Sequence, residues 1–214
     1  MRLNTVLRLF VKHYTENQNK YLMLLLGTFA LPVLMTLISK TSETGISMCL
    51  TVALFDIFYV AMLSTRDLRH RQSLVVANTL PVSVAERYAF ILLNTTVVLA
   101  AWFAAVYAAA VAVCTSIYAP TFPYIETLIF KNHYLYVGLL GTQGAALLIC
   151  LAIRRRALYP YAAAAIITIL VQYLISKYAA PADVQDVKMS VNIAVVVVAW
   201  IAGYFMLRYR QLKM

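Results

Sequence analysis

Four groups of residues in this chain have types that could do chemistry, and two of them are spaced so that they do not. His13, His70 and His133 fall outside the apolar runs and far apart, and no H-E-x-x-H or G-x-S-x-G spacing occurs. Membrane protease or hydrolase chemistry is therefore disfavoured. Cys49, Cys114 and Cys150 all lie inside apolar runs, are odd in number and form no C-x-x-C pair. That pattern implies no disulfide framework, zinc site, c-type haem or iron–sulfur cluster, so no metal site is expected. The cysteines read as small packing residues.

Asp56 is the third group, the only ionisable residue deep in an apolar run. A carboxylate at the centre of a membrane costs about 3 kcal/mol, so such residues face a bundle interior and often have a role. Two roles stay open for it. Asp56 lines a transport path, or it is a neutral structural residue bonded to a polar group on a neighbouring helix, such as Gln143 or Gln172.

The fourth group is the polar stretch from Arg66 to Tyr88, RDLRHRQSLVVANTLPVSVAERY. Asp67 to Asn78 predicts a short helix with a basic start. Pro81 ends it and biases Leu80 to an extended backbone. Ser83 and Glu86 have the S-x-x-E spacing of a capping box, which starts a second helix. The product is a helix, a fixed elbow and a second helix, an arrangement that can pass movement from a bound partner into the membrane. The bland alternative is an ordinary connecting loop.

These residues need elements to hold them, and composition says where those elements sit. The chain has 214 residues, 63% hydrophobic and 12% charged, with a mean hydropathy of +0.80. A soluble domain of this length cannot bury that much apolar surface. The net charge is +10, but the cations flank apolar runs instead of sharing one soluble face, so the partner they suggest is a membrane and not nucleic acid. The first apolar run begins only near Tyr21, after a polar and basic stretch without a cleavage pattern, so no cleavable signal is expected.

Six spans are expected: Tyr21–Ile38, Ile46–Ser64, Tyr88–Thr115, Tyr134–Ile153, Tyr159–Ser176 and Val191–Leu207. Their lengths suit helices crossing about 30 Å of hydrocarbon, and the runs lack the alternation of barrel strands. The third is longer than needed and either tilts or starts in the interface. Arg2, Arg8, Lys12, Lys20, Arg66, Arg69, Arg71, Arg87, Arg154, Arg155, Arg156, Arg208, Arg210 and Lys213 fall in one set of connections, and only Lys40, Lys131, Lys177 and Lys188 in the other. The positive-inside rule then puts both termini in the cytoplasm. Tyr21, Tyr88, Tyr134, Tyr159 and Tyr209 stand near span ends, as interfacial aromatics do. Residues 2–14 place Leu3, Val6, Leu7, Phe10, Val11 and Tyr14 on one helical face, which predicts an amphipathic helix on the inner leaflet within a cytoplasmic segment 1–20. Pro32 is expected to kink the first span. Ala100, Ala104, Ala108 and Ala112, and Gly138, Gly141 and Gly144, form small-residue faces for close helix packing, within the chain or between subunits.

The stretch NTLPVSVAERY, residues 78–88, resembles the L-P-V-S-x-x-E-x-(Y/V) segment after the second span of type-2 ATP-binding-cassette (ABC) exporter permeases. The basic run at 66–72 is similar too, and the six-span plan with an amphipathic N-terminal helix extends the likeness to the whole chain. The resemblance implies a single all-α domain, 1–214, in a bacterial cytoplasmic (inner) membrane. It implies a coupling elbow at 65–87 that contacts a separate ATP-binding subunit through Arg66, Asp67, Arg69, Arg71, Leu80, Pro81, Ser83 and Glu86. ATP and Mg would sit on that subunit, with none held here, which agrees with the lack of a G-x-x-x-x-G-K-[ST] loop. A second permease unit would complete the path. The chain departs from several such exporters at residues 177–190, which are polar and short where those carry re-entrant helices. Two rival readings stand beside this one: an ATPase-independent carrier or channel using Asp56, and a non-transporting assembly or immunity subunit. None of the three makes this chain an enzyme in its own right.

Overall fold

A computed structural model of the chain describes residues 3–68, 82–119, 133–152 and 184–212, together with residues 166, 167, 170, 173, 174 and 177. Among them there are helices and turns and no strands. The helices are α1 (Leu3–Ser39), α2 (Ser42–Ser64), α3 (Val84–Ile117), α4 (His133–Ala152) and α5 (Val184–Leu212), with a single 3-10 turn at Arg66–Leu68 after α2. All five are long and apolar enough to cross a membrane. Their outer faces are apolar as well: Met23 is 72% exposed, Ile38 75%, Val198 61%. Helices of this length with apolar outer faces fit a membrane protein. The expected span Tyr159–Ser176 lies largely outside the described residues. Ile166, Ile167, Leu170, Tyr173 and Leu174 are described, helical and exposed.

Helix α1 is 37 residues long, which at 1.5 Å per residue is about 55 Å, more than the hydrocarbon core. It is interrupted at Asn17, whose φ of −116° and ψ of 15° leave the helical region. The Asn17 side chain donates to the carbonyl of His13 at 2.9 Å. The break falls there and not at Pro32. Around Pro32 the backbone stays helical, as membrane helices tolerate proline; Thr36 one turn on bonds back to the Pro32 carbonyl at 3.0 Å.

Helix α2 is the central element, packed on α1, α3 and α4. Its buried Ile57, Phe58, Val60, Ala61 and Leu63 form one core with Tyr21, Leu24, Leu99, Ala146 and Cys150. Cys49, Cys114 and Cys150 are free and buried, the packing role their apolar surroundings suggest.

Helices α4 and α5 are parallel neighbours. Tyr134 donates to Asp186 at 3.2 Å near their starts, Gly141 and Gly144 lie against Asn192 and Val196, and Leu151 meets Gly203 near their ends. The glycine face of α4 is therefore an intrachain seam. A Cβ on Gly144 would stand 3.1 Å from Val196 Cα and 3.3 Å from the Cβ of Ala199. Gly144→Val should accordingly cost about 1–3 kcal/mol in detergent unfolding, whereas Gly138→Val, whose Cβ meets only Asn192 Nδ2 at 3.9 Å, should cost far less. Equal midpoints for the two variants would refute the seam. By contrast, Ala100, Ala104, Ala108 and Ala112 of α3 are all exposed.

Candidate functional site

The residues expected in the elbow that are described sit where four helices converge. Ser83 caps α3: its Oγ accepts from the Glu86 amide at 3.2 Å, and Glu86 Oε2 accepts from the Ser83 amide at 3.0 Å. This is the reciprocal capping box that the S-x-x-E spacing predicts, and it fixes the entry angle of the chain into α3. Ser83 is exposed, while Glu86 and Arg87 are buried. Arg66 stands exposed on the 3-10 turn, and Leu68 beside it is buried. Leu68 joins Val6, Tyr88, Phe90, Ile91, Leu147, Leu151 and Leu207 in a second core. The backbone of Asp67 belongs to the 3-10 turn, but its side chain, like Arg69, Arg71, Leu80 and Pro81, lies outside the described residues.

This second core clamps the start of α3 between both ends of the chain. On one side Phe10 of α1 meets Phe90 edge-on at 4.8 Å. On the other, the Tyr88 hydroxyl donates to the Trp200 carbonyl of α5, and the Tyr88 ring meets Tyr204 edge-on at 5.6 Å. The N-terminal segment thus uses part of its apolar face, Val6 and Phe10, against the bundle. Leu7 and Val11, at 53% and 69% exposed, face outward beside the exposed Arg8 and Lys12.

A polar network lies one turn deeper. α3 contains a π turn over Asn94–Val98, a departure from α geometry that often marks a functional position. Asn94 and Thr95 are both fully buried on it. The Asn94 carboxamide accepts from the Tyr14 hydroxyl at 2.7 Å and donates to Ser64 Oγ at 2.8 Å and to the Tyr21 hydroxyl at 3.2 Å. His13 Nε2 is 2.9 Å from the same Tyr21 oxygen. Thr95 Oγ1 accepts from Gln143 Nε2 at 2.8 Å, and Gln143 Oε1 accepts from the Trp200 indole at 3.1 Å. One π turn therefore ties α3 to α1, α2, α4 and, through Gln143, α5. Tyr21 and Tyr88, read from sequence as interfacial anchors, are instead buried members of these contacts. The signal for the network was the polar triplet Asn94-Thr95-Thr96 inside an otherwise apolar run.

Asp56 is separate from both clusters. It is 1% exposed, midway along α2, and its Oδ2 accepts from Thr28 Oγ1 of α1 at 2.7 Å. Of the partners anticipated for it, Gln143 is engaged with Thr95 and Trp200, and Gln172 lies outside the described residues. The helix facing Asp56 is α1. Among the described residues no three His, Cys, Asp or Glu side chains gather closely enough to hold a metal ion.

Comparison with protein families, with curated proteins and with solved structures finds no match to this chain.

Proposed function

We propose that this chain is the permease subunit of an ATP-driven ABC-type exporter, working with a separate ATP-binding subunit that holds ATP and Mg. One observation carries the reading: the Ser83–Glu86 capping box opens a helix whose start is clamped between α1 and α5. A push at residues 66–88 then moves α3 together with α1 and α5, which is what coupling to a cytoplasmic motor requires.

Three further observations support the layout. The parallel packing of α4 and α5 supports the six-span plan, as do residues 166, 167, 170, 173, 174 and 177 between them in sequence, which are helical. The cations Arg66, Arg87 and Arg208 gather at the end that holds the second core, whereas Lys40 and Lys188 stand at the other, the asymmetry of a protein with its termini and elbow in the cytoplasm. At that same end the outward Leu7–Val11 face, edged by Arg8 and Lys12, suits an inner-leaflet helix. A bacterial inner membrane and a second permease unit complete the reading.

The test is co-purification with a co-expressed ATP-binding subunit in mild detergent. Ser83→Ala should remove about 1 kcal/mol of capping and weaken docking roughly fivefold, with membrane insertion intact; Glu86→Ala and Pro81→Ala should act in the same direction. Unchanged docking in all three would remove the elbow assignment. Failure of every encoded ATP-binding subunit to bind would remove the exporter reading. The buried carboxylate of Asp56 favours a second reading, an ATPase-independent carrier, in which transport persists without the ATPase and is lost in Asp56→Asn.

A further inference from the structure

Between α1 and α2 runs a groove of about 290 Å³, walled by Met23, Gly27 and Leu31 of α1 and by Met48, Thr51 and Phe55 of α2, with Asp56 and Thr28 at its floor. Its mouth faces sideways, since Met23, Leu31 and Phe55 are 72%, 43% and 50% exposed on helices apolar enough to be surrounded by lipid. Gly27 widens it: a Cβ there would meet nothing within 4 Å. At the floor, Asp56 Oδ2 accepts from Thr28. Among the described residues no hydrogen bond reaches Oδ1. No Lys, Arg or His lines the groove.

We propose that this groove is a binding site, entered from the bilayer, for a lipophilic organic cation: a primary or secondary ammonium on an apolar tail. The chemistry of the walls and floor selects that class. An acceptor oxygen deep among apolar side chains gains most from an N–H-bearing cation, because the partner removes the cost of a lone buried carboxylate. Two methionines, a leucine and a phenylalanine offer adaptable apolar surface for the tail, with the polarisable thioethers suited to irregular shapes. The volume is near the lower edge of small-molecule pockets, about 300 Å³, which fits a short chain or a single ring and excludes bulky cargo. A neutral amphiphile leaves Oδ1 without a charged partner. The site does not depend on the ATPase reading and is tested without any second subunit.

The probe is tritiated decylamine, with tritiated decanol as its uncharged match, binding to the full chain in nanodiscs above empty nanodiscs. Decylamine should bind saturably, and Asp56→Asn should weaken it by about tenfold or more, while decanol binds both proteins alike. Gly27→Leu should fill the groove and abolish saturable decylamine binding with Asp56 untouched, and its melting temperature should equal or exceed that of the parent, because the added side chain enters open space and leucine favours the helix over glycine. Indistinguishable decylamine isotherms for the parent and Asp56→Asn would overturn the proposal. So would a sharp fall in the melting temperature of Gly27→Leu, which would mean that another part of the protein already fills the groove.

Discussion

Gly45→Ala is expected to destabilise the bundle by about 3 kcal/mol, at the upper end of overpacking penalties, although only a methyl group is added. Gly45 lies buried at the start of α2, where the chain has just turned back from α1 through Lys40, which has a positive φ (55°). A Cβ at Gly45 would collide with Thr36 Oγ1 and stand 2.7 Å from the carbonyl oxygen of Pro32. The hydroxyl can rotate away at the loss of its own bond to that carbonyl, 3.0 Å long. The carbonyl is backbone and cannot. The two helices must separate, and the close backbone approach that drives association without a hydrophobic effect is lost. Thr36→Ala in the same chain should therefore rescue Gly45→Ala only in part. Gly27→Ala supplies the opposite sign within the same helix pair: its Cβ meets nothing, so it should gain about 0.5–1 kcal/mol from helix propensity alone. Unfolding midpoints in detergent decide the matter, and equal shifts for Gly45→Ala and Gly27→Ala would show that the α1–α2 crossing is looser than described.

That contrast between two glycines shows which features a sequence of this kind carries openly and which it hides. Local spacing is legible. Ser83 and Glu86 form their capping box because the two groups are three residues apart on one chain, and nothing distant has to agree. Apolar length is legible too, since hydrocarbon thickness sets it. What hides is rotation about each helix axis. Gln143 was as plausible a partner for Asp56 as Thr28, because all three lie at membrane depth and only the facing of α1, α2 and α4 decides between them. The glycine stripe of α4 and the alanine stripe of α3 follow the same rule of small residues at regular spacing, yet the first is packed on α5 and the second is exposed. Tyr21 sits at a span end and satisfies the pattern of an interfacial anchor, but the break at Asn17 turns His13 and Tyr14 back toward it and buries it. The break itself was hidden for a related reason. Pro32 is the stronger local signal, yet its backbone stays helical, while the departure falls at Asn17, whose side chain bonds the His13 carbonyl.

Asn94→Leu is expected to cost roughly 2–4 kcal/mol and to loosen the N-terminal segment from the bundle without touching the elbow. Leucine has as many side-chain heavy atoms as asparagine, so no cavity opens and the loss is chiefly of hydrogen bonds. Three are removed at once, to Tyr14, Tyr21 and Ser64. They are not equivalent. Ser64 still donates to the Val60 carbonyl at 2.8 Å, and the Tyr21 hydroxyl still lies 2.9 Å from His13 Nε2; each of those losses should amount to about 0.6 kcal/mol, the usual worth of a bond inside a membrane bundle. Tyr14 is different, because its hydroxyl gives up its acceptor in a half-buried position, and stranding a donor costs about 1–3 kcal/mol. Removing that hydroxyl should therefore repair most of the damage. The double variant Tyr14→Phe with Asn94→Leu is expected to be more stable than the sum of the two single effects, the non-additivity of a shared bond. Strict additivity would show that Asn94 does not hold Tyr14. Because Asn94 is the point at which α3 grips α1 on both sides of its break, the same variant should increase amide exchange in residues 4–16, while the Ser83–Glu86 cap and any docking that depends on it stay as they were. Loss of docking in Asn94→Leu would mean instead that the elbow and the π turn move as one body.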